Sequence, residues 1–250
     1  MTESIPRACA RLCVTVAIIV CLSVTASTAL DAQAGTGGLS GIVETQGGSP
    51  VGGAIVTYGR LAPTRGKTTP SILSPAMNTT TDPKGRFAIQ NLDTGTYLLC
   101  VEATGTAYLN PCHWSASPPM YEVTSGVAIS GAVIKVTIGS LLPIAVNDPQ
   151  QLIAAQAVGK AAPPLIGAIG LSGVFIPAKL AASTNAGKSY TVTLPFDAPI
   201  GIFVSGGGFQ LTDASSKAVP NGGQIVQVTI PSTGSAPNLG FTIVGASPPH

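Results

Sequence analysis

The sequence predicts an all-β protein, two β-sandwich domains following a cleaved signal peptide. Three observations predict it. Only 9% of the 250 residues are charged, while glycine (30) and proline (21) are abundant; average domains carry roughly 25% charged residues. Apolar residues alternate in short runs bounded by Gly, Pro, Asn and Asp, the pattern of half-buried strands between turns. One stretch alone, Gln150 to Val158, reads as helical. The length accommodates one large β-domain or two small ones.

The elements follow in chain order. Residues 1–34 read as a signal peptide: Arg7 and Arg11 form a positive n-region and Leu12 to Val24 an apolar run too short for a comfortable membrane span. Ala32-Gln33-Ala34 places cleavage after Ala34, with cleavage after Ala29 the second choice and an uncleaved anchor the rival reading. The first sandwich is expected over 35–139. Its strands are Leu39–Glu44, Ala54–Tyr58, Arg86–Gln90, Thr96–Val101, Met120–Val123, Val127–Ile129 and Ala132–Ile138. Asp82-Pro83-Lys84-Gly85 is a tight-turn signature, and Arg60 to Asn78 reads as a long irregular loop.

Residues 140–164 are expected to connect the domains through a strand (Leu141–Val146), the short helix and a linker. The second sandwich is expected over 165–245. Its strands are Leu165–Leu171, Val174–Ala181, Ser189–Leu194, Ile200–Ser205, Phe209–Asp213, Gln224–Ile230 and Leu239–Val244. Residues 246–250 form a tail expected to be disordered. No internal sequence repeat links the halves.

Cys9, Cys13 and Cys21 leave with the signal, and Cys100 and Cys112 remain. An even pair in an exported chain reads as one disulfide; two unpaired buried thiols are the alternative. The formal net charge of +2 and the lack of any basic run interleaved with aromatics argue against a nucleic-acid partner. After signal cleavage no apolar run is long enough to span a bilayer.

The first domain resembles the carboxypeptidase regulatory-like family, a transthyretin-like (prealbumin-type) β-sandwich related to carbohydrate-binding-like folds. The carriers lie between Leu39 and Ile138. They are Gly41-Ile42-Val43, Pro50-Val51-Gly52-Gly53-Ala54-Ile55-Val56, then Thr81-Asp82-x-x-Gly85-x-Phe87 and Leu92-x-x-Gly95-x-Tyr97. The resemblance implies a non-catalytic scaffold of the kind found in secreted bacterial proteins, sometimes beside a peptidase. It names a scaffold, and function must be argued from a site.

The inventory excludes most chemistry. Two histidines, His113 and the C-terminal His250, cannot supply H-E-x-x-H zinc ligation, and no G-x-S-x-G elbow exists. Asp82 and Asp93 could share a calcium ion, but they sit in turns, where aspartate caps backbone amides. The expectation is therefore no enzyme activity, no metal and no cofactor. The expected ligand site is an aromatic platform for a glycan, because sugar faces stack on Trp and Tyr. It comprises Trp114, Tyr108, His113, Asn110 and Tyr121, near the loop tied by Cys100 and Cys112. The alternative is that Trp114 folds back over the sheet edge. The expected function is thus an exported binding module, periplasmic or extracellular, with a carbohydrate ligand. The alternatives are a structural or assembly domain contacting other proteins through its sheet edges, or service to a peptidase.

Overall fold

The computed structural model describes residues 37–62, 76–103, 105–156, 162–171 and 173–246, all within one compact unit. The expected signal peptide, its cleavage site and residues 247–250 lie outside the described residues. Two β-sandwiches are present, so the expected all-β class holds.

The first sandwich contains β1 (Gly37–Thr45), β2 (Ile55–Arg60), β3 (Met77–Thr80), β4 (Arg86–Leu92), β5 (Gly95–Glu102), β6 (Tyr108–Leu109), helix α1 (Pro111–Trp114), β7 (Met120–Val123) and β8 (Ala128–Ile138). The second contains β9 (Ser140–Asn147), α2 (Leu152–Gln156), β10 (Leu165–Ile169), β11 (Phe175–Pro177), β12 (Lys179–Thr184), β13 (Gly187–Leu194), β14 (Pro199–Ser205), β15 (Phe209–Asp213), β16 (Gln224–Thr229) and β17 (Leu239–Ala246). The first sandwich pairs a sheet β4-β1-β8-β6 with a sheet β3-β2-β5-β7; the second pairs β12-β13-β9-β17-β15 with β11-β10-β14-β16.

The same topology occurs twice. In each sandwich the first strand runs parallel to the last, β1 with β8 and β9 with β17. The order β4-β1-β8-β6 corresponds to β13-β9-β17-β15, and β3-β2-β5-β7 to β11-β10-β14-β16; β12 is the one addition. The chain shows no matching sequence repeat because a sandwich constrains alternation and turns more than residue identity.

Each core follows from alternation. In β5 the buried residues are Tyr97, Leu99 and Val101, and in β14 they are Ile200, Ile202 and Val204. The two clusters are separate: Leu39, Phe87, Leu92, Leu99 and Ile134 belong to one, Leu142, Ile144, Ile202, Leu211 and Ile243 to the other.

The motif residues of the first sandwich all serve folding. Thr81 is buried; its hydroxyl donates to Val51 O (2.8 Å) and accepts from Ala54 N (2.9 Å), fastening the Pro50–Ala54 loop. Asp82 accepts from Lys84 N (2.8 Å) and Arg86 N (2.9 Å) and pairs with the Arg86 guanidinium (2.8 Å). With both oxygens held by N–H donors, Asp82 is a turn cap. Gly85 has φ +73°, and a Cβ there would lie 2.5 Å from Val43 O. Conformation and space both require glycine.

Several expected boundaries are corrected. Residues 77–80, expected in the Arg60–Asn78 loop or the turn after it, form β3 on β2, because alternate polar residues suffice for an edge strand. The strands expected over Val127–Ile129 and Ala132–Ile138 are one strand, β8, which begins at Ala128 and whose register against β1 shifts between Ile129 and Ala132. Gly131 there has φ +80°, as a bulge allows. Val174–Ala181 divides at Ala178, so that β11 joins one sheet and β12 the other. Leu141–Val146, expected in a connector, is inside β9, between β13 and β17 in the second sandwich. Of the helix expected over Gln150 to Val158, α2 takes Leu152–Gln156, while residues 157–158 lie outside the described residues; Asp148, buried, caps it by accepting from Leu152 N (2.9 Å) and Ile153 N (2.7 Å). Ala246, expected in the tail, ends β17. No helix among the described residues is long and apolar enough to cross a membrane.

Candidate functional site

The expected site residues gather around the segment between β5 and β7. Cys100, on β5, and Cys112, in α1, form the expected disulfide. Asn110 caps α1 by accepting from Cys112 N (3.0 Å), and Pro111 at the first helical position tolerates the missing N–H. The side-chain oxygen of Asn110 is therefore used by the fold. The helix was not expected from sequence, since a four-residue turn has no periodicity to detect.

α1 places Trp114 between the two sandwiches. Trp114 is partly buried and packs against the second sandwich's core, although it belongs to the first sandwich's loop. It thus takes neither of the two expected forms, an open platform or a lid on its own sheet edge. The backbone next to it is tied as well: His113 O accepts from Leu171 N (3.1 Å), and Lys179 pairs with Glu102 across the same junction. Gly170 permits the approach, because a Cβ there would lie 2.9 Å from His113 O.

Trp114 divides the expected residues between two hollows. One, of about 320 Å³, lies at the junction and is lined by Tyr108, Asn110, His113 and Trp114 together with Leu141, Ile176 and Thr191 of the second sandwich. Burial pushes the His113 imidazole below its ordinary pKa of 6.5, and the Glu102 carboxylate opposes this in part. The other hollow, about 630 Å³, is an open groove lined by Trp114 and Tyr121 with Gln46, Met120, Val133, Lys135 and Thr137. The five expected residues therefore do not form one platform: Tyr108, His113 and Asn110 face the junction, and Tyr121 faces the groove.

The groove lies along one edge of β8. β6 pairs with β8 at Ile138 and Thr137 only, so among the described residues no strand covers that side of β8 from Ala128 to Val136. The Tyr121 hydroxyl donates to Val133 O (3.1 Å), which shows that this carbonyl points away from β1. By the two-residue period of a strand, the Lys135 peptide groups share that direction. Burial raises the Tyr121 pKa above 10.0, and the bond to Val133 opposes this in part. Lys135 and Glu44 stand 3.8 Å apart on the groove's side, an exposed pair contributing at most about 1 kcal/mol. Sequence reasoning missed Gln46, Val133, Lys135 and Thr137. The available signal was the alternation in β8, which puts Val133, Lys135 and Thr137 on its exposed face.

Among the described residues, no group of three or more His, Cys, Asp or Glu side chains could hold a metal ion. The arrangement offers strand-edge hydrogen bonding and apolar contact.

No family model matches the chain, and no curated protein matches it. Solved structures with some likeness include the Bacillus anthracis TIE protein (15% identity, 84% of this chain, 34% of that one, TM-score 0.32). A minor pilin of Streptococcus agalactiae is 12% identical over 86% of this chain and 99% of its own, with TM-score 0.38. The full-length major pilin of Corynebacterium diphtheriae is 10% identical over 68% and 60%, with TM-score 0.33. The chain spans about a third of the first of these and under two thirds of the last. Superpositions this loose carry no argument about function.

Proposed function

We propose that this protein is an exported, non-enzymatic assembly module that contacts another protein by adding a partner's strand to the open edge of β8. One observation carries the reading. In the second sandwich the position next to the last strand is filled by β15, Phe209–Asp213, whereas in the first the equivalent β6 has only Tyr108 and Leu109. The first sandwich is thus short of strand where the groove begins. An extended peptide there would find main-chain partners at Lys135 and apolar contacts at Trp114 and Tyr121, the mode known as β-augmentation.

Two finer points belong to the same proposal. The first sandwich is carboxypeptidase regulatory-like, on the Thr81-Asp82, Gly85, Phe87 and Leu92, Gly95, Tyr97 spacing, whose members serve the scaffold. The chain acts outside the cytoplasm, consistent with the Cys100–Cys112 bridge.

The competing ligand is a carbohydrate stacked on Trp114. A photoreactive residue at Val133, with a control at the exposed Val244 of the second sandwich, separates the two in the producing cells. The expected result is a protein adduct at position 133 and none at 244. A glycan-array signal on the unmodified chain that disappears in Trp114→Ala, with no protein adduct, would reverse the assignment in favour of carbohydrate.

A further inference from the structure

We infer that the outer face of the sheet β11-β10-β14-β16 is a contact surface for a second copy of this chain. The site is independent of the β8 edge and lies on the other sandwich.

The four strands contain no Asp, Glu, Lys, Arg or His. Each of the other sheets carries at least two charged strand residues, for example Glu44, Arg86 and Lys135 in the first. An antiparallel sheet with one face on its core normally presents polar residues on the other. This one instead turns an uncharged mixture outward, Leu165, Phe175, Phe203 and Ile225 beside the polar Gln227 and Thr229 of β16. Ile166, Ala168, Ile202, Val204 and Val228 face inward and are buried. On the outer side Leu165 is 49% and Ile225 59% exposed.

Glycines let side chains settle against the backbone of this face. A Cβ on Gly167 would meet the Phe175 ring at 2.5 Å, so that ring lies over the β10 backbone. A Cβ on Gly201 would meet Ile225 at 2.9 Å. The two rings, Phe175 and Phe203, stand edge to face with centroids 6.0 Å apart, a packed aromatic pair on the outer side.

The occupant follows from charge and area. A face without a single charge gains nothing from a charged partner and would leave that partner's charges desolvated and unpaired. It matches an equally uncharged sheet face, and the surface of that kind in this protein is the same face on another copy. A two-fold dimer uses one patch twice, so self-complementarity is sufficient. Four strands about 4.8 Å apart and about five residues long on average give a face of roughly 330 Å². That is the size at which an apolar patch on a monomer is usually functional. Two such faces bury about 660 Å², well below the roughly 1,200–2,000 Å² of stable interfaces, so the dimer is weak and transient.

Sedimentation velocity on the exported chain tests this over about 1 to 300 μM, where a dimer of this area should dissociate. The expected result is a monomer–dimer equilibrium in that range. Ile225→Lys and Leu165→Glu, at opposite sides of the face, should each weaken dimerisation by about tenfold or more, since one kept charge must be desolvated. Val127→Lys, equally exposed but on the first sandwich, should leave it unchanged. Thermal melts check that each variant folds, and either face variant alone suffices for the reading. Monomer throughout the range overturns the proposal, as does an association that both face variants leave intact or that Val127→Lys weakens equally.

Discussion

Asp82 shows what a single side chain does here. The Arg86 backbone N–H, first, with the Arg86 side chain and the Lys84 N–H, holds its carboxyl below the ordinary 3.8. In the unfolded chain the group titrates at its ordinary value, so the folded state binds its proton less readily. The stability this confers is therefore complete above pH 3.8 and is lost as the pH falls through the lower folded value. Asp82→Asn keeps the acceptor for the backbone amides but removes the titration. Thermal melts between about pH 5 and about pH 2 should show a shallower acid decline in the variant than in the parent. Equal slopes would mean that Asp82 contributes nothing to acid sensitivity. The same residue was legible in sequence as a turn cap, because an Asx turn needs only four neighbouring residues.

The disulfide segment is the element on which the junction depends. The bridge spans a sequence separation of 12 and fixes α1 against β5, with the Cys112 sulfur 3.5 Å from Leu99 O. Closing a loop of that length limits the unfolded chain by about 3 kcal/mol. Replacing both cysteines with serine should lower the unfolding free energy by about 2–4 kcal/mol in urea titration. A loss below about 1 kcal/mol would show that packing of α1, rather than the cross-link, holds the segment. Pairing of Cys100 with Cys112 could be read from count and compartment. The helix between Asn110 and Ser115 could not, since its cap is specified by one asparagine and its position by the bridge.

Across the whole molecule, Trp114, carried by the loop of the first sandwich, reaches the core of the second. Burying most of an indole against the second core contributes on the order of 2–3 kcal/mol. Trp114→Ala should therefore separate one calorimetric transition into two, one for each sandwich, or broaden it measurably. A variant that melts as the parent does, in a single transition at the same temperature, would remove Trp114 from the junction's energetics. The consequence for function is that a residue best suited to stacking on a sugar is largely engaged by the protein itself, with one face left to the groove beside Tyr121.

The division between sequence and tertiary structure follows from range. Alternation and turn chemistry are local, so most of the strands, the Asp82–Gly85 turn, the all-β class and the short helix near Leu152 were determined by the sequence alone, whereas the short strands β3 and β6 were not. The role of Leu141–Val146 was not: the run reads as a strand wherever it is placed, and only its pairing with β13 and β17 puts it in the second sandwich. The repeated topology escaped sequence comparison because strand order is fixed by long-range pairing, not by residue identity. The placing of Tyr108 and Tyr121 in separate hollows on either side of Trp114 was likewise decided by tertiary structure. A four-residue helix turns the chain between those residues and faces them to opposite sides, and no spacing along the chain encodes a direction in space.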